Sequence, residues 1–424
     1  MATAHTATLT LSSGTDVDVF DRYTLTLDMM RAGNPWTVSM WRSISGAREA
    51  SWEVLRREVK LGENVTFSID GAAQVTGRIE TLRTAAPDDK GGATMVISGR
   101  DLGGMAMTWD ADPTVRLRGL ALSDALTALF APFGVPVLIT DAAAARLVQS
   151  GTNRASLGHA SRPHATHTTR PHSPSRGVHR AHARRRAQPI DQSHPRAGEK
   201  AWALAEEMCR RVGFLMWVAP SAEGGIAVVV DVPAFSTEDV FTFGRRIEGL
   251  RATGNILKGA EAFSIKEVPS EVNVYTGTTR GDLISSRSRS QTFNVGVTRA
   301  DVSRGFIAGS MPAQVRHIKS ARSRTLAASA KEGERVIAEA MAGFRRYELT
   351  VQGHGQTVAG VDRLYAVNTM ARVRDDLCSA PDGSPLDESM LITGVTFEGG
   401  RATGTTTSLV LVPKDSISII PQDA

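Results

Sequence analysis

From position 64 the chain alternates strictly: Val65, Phe67 and Ile69 point one way and Asn64, Thr66 and Ser68 the other, until Asp70-Gly71, after which Val75, Gly77 and Ile79 resume the pattern. Period-two alternation around an Asp-Gly pair predicts a β-hairpin. A further strand is expected over 94–98, past the polar loop 87–92, so roughly the first 105 residues read as a small antiparallel β domain. The period then changes. Leu126, Leu129, Phe130 and Phe133 recur at helical spacing behind Ser123, which reads as an N-cap, and Pro132 and Gly134 end the helix. A second helix is expected over 198–211. Its stripe is Ala201, Leu204, Ala205, Met208 and Val212, with Glu199 in the first turn, Arg210 and Arg211 in the last, and Gly213 as terminator. Strands over 214–218 and 226–232 flank a turn at 221–225. From Val240 the pattern returns to β segments, including 271–277 and 284–297. A helix over 326–344 buries Val336, Ile337, Ala340, Met341 and Phe344. Strands are then expected over 349–351, 364–373, 390–397 and 408–412, with turns at Asp382-Gly383 and Gly399-Gly400.

A chain of 424 residues exceeds one ordinary core and implies two to four units. A 41% hydrophobic share with 5% aromatics and 39 glycines fits a β-rich, turn-rich globular protein. No apolar run reaches the length of a membrane span, and the first 20 residues lack a basic start and an apolar stretch, so synthesis and storage in the cytoplasm are expected. Cys209 and Cys378 stand alone and read as small core hydrophobes.

The basic pI of about 9.4 has a local source. Residues 151–196 hold nine arginines against Asp191, a net of +8 out of the chain's +5, which leaves −3 for the remainder. The folded body therefore lacks the charge balance of a nucleic-acid-binding domain. Seven histidines (159, 164, 167, 172, 179, 182 and 194) share that segment. The pairs His164/His167 and His179/His182 have chelating spacing, but no carboxylate or cysteine completes a site and five prolines break any helix. The segment reads as an exposed or partner-covered arm whose removal over 155–190 spares folding; a stretch of GC-rich gene read out of frame has the same composition.

Signatures of zincins, serine hydrolases, P-loops and zinc ribbons are absent. Gly353-His354-Gly355 with Gly360 has the wrong spacing for a nucleotide loop and reads as a β-turn, while Gly99-Arg100-Asp101-Leu102-Gly103-Gly104 reads as a strand-to-loop junction. Glu206, Glu207, Asp375 and Asp376 read as solvated charge. No residue is assigned to catalysis, cofactor binding or a metal, and no cofactor is expected.

Three runs carry a family resemblance: 61–71 with Val75–Ile79 and Val96–Asp101; Pro195–Leu204 through Gly213; and Val351–His354, Tyr365–Asn368, Met390–Phe397 and Gly404–Leu411. In order and spacing they resemble Mu-type baseplate hub proteins, relatives of late control protein D and of the N-terminal part of type VI spike proteins. Residues 151–194 depart from that pattern. The resemblance implies a β-rich α+β fold with two small antiparallel, barrel-like tube domains: 1–108; an α+β domain over 109–235 interrupted by 151–196; a β-rich region over 236–325; and a helix plus β region over 326–424. It further implies a non-enzymatic homotrimer in the virion tail baseplate. That trimer adapts a sixfold tail tube, or a tube initiator, to a threefold spike among other baseplate proteins, and phage DNA passes its channel without specific binding. The competing readings are a tail-associated cell-wall hydrolase and a nucleic-acid-binding protein acting through 151–196, a segment without aromatic residues for base stacking.

Overall fold

The computed structural model describes residues 5–18, 20–43, 56–85, 92–117, 119–149, 194–221, 225–248, 251–264, 271–276, 289–294, 315–320, 333, 336, 340, 343–379, 384–400, 404–414 and 416–417. The basic segment 151–193, the turn Asp382-Gly383 and most of the helix expected over 326–344 lie outside them; Val336, Ala340 and Phe344 are buried.

The first β region contains β1 (Ala7–Leu11), β2 (Asp16–Val17), β3 (Arg22–Asp28), β4 (Pro35–Ser43), β5 (Asn64–Ile69), β6 (Ala72–Ala85) and β7 (Gly92–Asp101). The predicted hairpin is β5–β6. Asp70 (φ 51°) and Gly71 (φ 78°) both take left-handed backbone, as a two-residue turn matched to strand twist requires. Three helices follow: α1 (Leu102–Thr108), α2 (Leu122–Phe130) and, after β8 (Val137–Ile139), α3 (Asp141–Gln149). Beyond the basic segment come α4 (Ala201–Val212), β9 (Leu215–Pro220) and β10 (Ile226–Asp231).

Two local expectations are corrected here. Gly99–Gly104 leads into a helix, because the Asp101 carboxylate accepts from Gly104 N (2.8 Å) and caps α1. Ser123 lies inside α2; Ala121 holds the N-cap position without a side-chain bond, and the Ser123 hydroxyl faces its neighbour Asp124 instead.

The later part contains β11 (Phe241–Glu248), β12 (Arg251–Gly254), β13 (Ile256–Phe263), β14 (Glu271–Thr276), β15 (Arg289–Asn294), β16 (Val315–Ser320), β17 (Arg345–Gln352), β18 (Gly355–Val358), β19 (Val361–Leu364), β20 (Thr369–Ser379), β21 (Pro385–Gly400) and β22 (Gly404–Pro413). Three small sheets stand apart, ordered β8-β10-β9, β15-β14-β16 and β18-β19.

The remaining strands form one 14-stranded sheet, ordered β12-β11-β20-β21-β3-β4-β7-β6-β5-β1-β2, with β22, β17 and β13 branching from β21. The β-rich α+β class holds, but no closed barrel forms among the described residues, and the two β regions are not separate bodies. The cause is the length of β21. Its 16 residues pair with β20 through the first half and with β3 through the second, while β22 runs along the other edge.

One hydrophobic core follows from this sheet, running from Leu9, Leu25 and Phe67 to Phe243, Phe397 and Leu411. Strand β9 stacks the α+β unit onto it. Trp217 faces this core, whereas Met216 and Val218, pointing the other way, join α1, α2 and α4 in a second core with Phe130, Trp202 and Met208.

Candidate functional site

The place where the two β regions meet is built on the β3–β21 ladder, with Tyr23 opposite Gly399, Leu25 opposite Phe397 and Leu27 opposite Val395. The Tyr23 ring lies where a Cβ on residue 399 would stand, so only glycine lets the ring cross the partner strand. Beyond the ring a polar cluster is sealed into the seam. Thr407 donates its hydroxyl to the Gly353 carbonyl (2.7 Å), so its oxygen is free to accept from His354 Nδ1 (3.0 Å). That leaves His354 Nε2 to accept the Tyr23 hydroxyl (2.7 Å), and the network assigns a neutral Nδ1–H tautomer. His5 stacks on His354 (5.1 Å) and binds Asp70 (2.5 Å), whose other oxygen accepts from Thr6 N (2.8 Å). Five distant stretches of chain are thereby tied together.

His354 is fully buried, and burial, reinforced by His5, pushes its pKa down to about 4. A histidine depressed in the fold takes up its proton more readily when unfolded, so its stabilising contribution is complete above about pH 6.5 and lost as pH falls toward 4. The loss is on the order of 3 kcal/mol. Asp101 works oppositely: burial lifts it to about 6, so its charge costs stability as pH rises through that value. His354→Gln, which can keep one donor and one acceptor, should therefore flatten the acid limb of stability between pH 6.5 and 4, read as urea midpoints. An unchanged limb would remove His354 as its source.

Two further junctions fix the α+β unit. Asp101 accepts from Asn34 N (2.8 Å), and Asn34 in turn donates through Nδ2 to the Val218 carbonyl of β9 (3.0 Å). Asn368, in left-handed backbone (φ 56°), accepts from Ala234 N (2.9 Å) and donates to the Val232 carbonyl (3.1 Å), clamping the exit from β10 onto the start of β20.

The second β region holds a buried ion pair. Arg245 on β11 bonds Asp375 on β20 through Nε (2.8 Å) and Nη2 (2.6 Å), and Tyr347 and Leu377 N also donate to that carboxylate. Asp375 was expected to be solvated; it is fully buried. Burial works against its charge, but the Arg245, Tyr347 and Leu377 donors outweigh it and hold the carboxyl below the usual range. Arg345 makes a parallel arrangement with Glu261 (2.6 Å) and Glu388 (2.9 Å).

These clusters are structural in kind. The pairs and networks named above are bonds between neighbours within the chain. Among the described residues no group of three His, Cys, Asp or Glu side chains is placed to hold a metal. Glu206 pairs with Arg210 on α4 (2.7 Å). Cys209 is buried and Cys378 half-buried, both as free thiols. Sequence reasoning missed Tyr23, His354, Asp101 and Arg245; only the glycines flanking His354 gave any local sign of close packing.

No family model and no curated protein matches the chain. Solved structures do. The tail protein from Neisseria meningitidis MC58 is 19% identical with a TM-score of 0.67, the match covering 99% of each chain. The 43 kDa tail protein of prophage MuSo2 from Shewanella oneidensis is 16% identical, also at 0.67, over 98% of this chain and 100% of that one. A chain of the Francisella PdpA-VgrG complex aligns at 0.52 with 6% identity, over 99% of this chain and 59% of that one. The fold is the one shared by the two tail proteins over their whole length, in agreement with the resemblance carried by the sequence motifs.

Proposed function

We propose that the chain is a structural baseplate hub of a contractile phage tail or related injection machine. Three copies would form a ring that adapts a sixfold tail tube to a threefold spike. The observation that carries this reading is β21, the strand shared by the two β regions. Because it joins them edge to edge in one sheet, a single subunit offers two β regions side by side, and three subunits offer six. The three polar seams serve that role: a ring element that bears load needs its two halves and its α+β unit held in one orientation, and buried hydrogen-bonded networks with few rotameric alternatives supply it. Full-length likeness to two tail proteins supports the same role. The protein acts by assembly and carries out no chemistry of its own. Native mass spectrometry of the purified chain, alone and with its tube and spike proteins, is expected to give a trimer. A stable monomer or a closed hexamer would defeat the proposal, as would peptidoglycan clearing abolished by a single carboxylate substitution.

A further inference from the structure

The two β regions repeat one arrangement. In the first, β3, β4, β7, β6 and β5 lie side by side; in the second, β13, β17, β22, β21 and β20 do, and every neighbouring pair in both sets is antiparallel. The chain also reaches the strands in the same order, so β3 corresponds to β13, β4 to β17, β5 to β20, β6 to β21 and β7 to β22. Register extends the match. The β6–β7 ladder shifts between Ile79 and Thr81, and the β21–β22 ladder shifts between Ile392 and Gly394. Across the strands, the row Ile79, Gly99, Trp36, Leu25 then corresponds to Ile392, Leu411, Tyr347, Glu261. The match stops at the outer strands, where β1 runs antiparallel to β5 but β11 parallel to β20.

Two strand edges are left over from this repeat. Past its shift, β21 pairs with β3 along the edge that β20 has left. β6 leaves β5 in the same way after Arg78, but along that edge residues 80–85 take no strand among the described residues, and all six are exposed. β13, the counterpart of β3, pairs with β17 on one side, and its residues 258–262 take no strand on the other among the described residues.

We propose that residues 80–85 of β6 in one subunit pair antiparallel with β13 of a second copy, repeating between subunits the β3–β21 junction found within one; the inference rests on the ring reading above. Within the subunit Val395 faces Leu27, Thr396 faces Thr26 and Phe397 faces Leu25. Carried over to the counterparts, that register sets Leu82 opposite Phe263, Arg83 opposite Ala262 and Thr84 opposite Glu261. The side chains fit it. Leu82 is 37% and Phe263 40% exposed in the subunit, whereas their counterparts Val395 and Leu27 are buried. The exposed pair would thus become buried by meeting each other, and a slip of one residue would turn Leu82 to the opposite face. Phe263 is held in place by its own strand neighbours, edge-on to Phe344 (6.1 Å) and under the Arg345 guanidinium (5.7 Å), so it offers an ordered aromatic anchor. Main-chain bonds along the two edges supply the affinity and the Leu82–Phe263 contact supplies the register. The contact joins two different edges of the same chain, the head-to-tail kind that closes into a ring when the rotation from copy to copy does.

The test combines Arg83→Cys with Ala262→Cys in the full chain, two exposed positions that the register brings within disulfide reach. The purified assembly is weighed by native mass spectrometry, then oxidised and resolved under denaturing, non-reducing conditions. A covalent trimer should form. Either single variant, which accounts for Cys209 and Cys378, should give none, and neither should Arg83→Cys with Lys258→Cys, displaced by about 13 Å along β13. A trimeric mass without the cross-link, a disulfide closed within one subunit, or equal cross-linking of the displaced pair would overturn the strand pairing and leave the ring reading standing. A non-trimeric mass would overturn both. Leu82→Asp tests the same contact without a new thiol. Its subunit should keep the parent's circular dichroism, while its trimer falls apart at protein concentrations about tenfold higher or more. A trimer as persistent as the parent's would contradict the pairing, and loss of the subunit fold would assign Leu82 to the subunit's own core and contradict it too.

Discussion

Replacing Asp375 with alanine is expected to cost about 3–5 kcal/mol of stability, because it leaves a buried guanidinium without its counter-charge. Arg245 reaches the carboxylate with two bonds (2.8 and 2.6 Å) where β11 and β20 pair, and its side chain is 11% exposed. The Tyr347 hydroxyl would lose its acceptor in the same step. Gly259 shows how little room there is: a Cβ at that position would run into the Tyr347 hydroxyl and approach both members of the pair. The double replacement Arg245→Met with Asp375→Leu should lose much less than the single change, since desolvation of the charges is then no longer incurred. Urea unfolding of the three proteins measures this ordering. A single variant within about 0.5 kcal/mol of the parent, the range of ordinary surface changes, would mean that the pair is not a structural element.

Phe397→Ala should be comparably damaging, about 3–5 kcal/mol, through the lost transfer energy and the cavity left behind. Its distinguishing feature is where the damage spreads. Phe397 lies opposite Leu25 across the β3–β21 ladder and meets the His354 ring edge-on at 5.1 Å, so its side chain belongs to both β regions at once. Hydrogen exchange should accelerate together in Arg22–Asp28 and in Gly404–Pro413, strands separated by most of the sequence. Acceleration confined to one of them would show that the regions open independently and that the shared strand does not couple them.

What could be read from the sequence was whatever is fixed locally. The β5–β6 hairpin announces itself through alternation and Asp-Gly, and α4 through its apolar stripe and the left-handed Gly213 (φ 84°) at its end. Helix α1 was hidden because Gly103 and Gly104 weaken every propensity signal. Those same glycines are needed there: a Cβ on residue 103 would press on Val218 and Trp202, and one on residue 104 on Arg100. The burial of Asp375 was illegible for a different reason. Beside Asp376 it looks like a charged stretch, and only alternation in β20 together with an arginine 130 residues earlier turns one of the two acids inward. The double use of β21 is equally non-local. Nothing in 385–400 distinguishes the half that pairs with β20 from the half that pairs with β3, because that division is decided by where the partner strands arrive.

The central claim is that two β regions of one subunit, joined through β3 and β21, act as neighbouring positions of a ring. Cryo-electron microscopy of the particle tests it most directly, with the symmetry imposed by the data and the two β regions of one subunit superposed on each other. The account predicts three copies around the tail axis and a continuous wall in which the β regions alternate as six similar positions. Six copies, a single off-axis copy, or β regions that fail to superpose as like folds would contradict it.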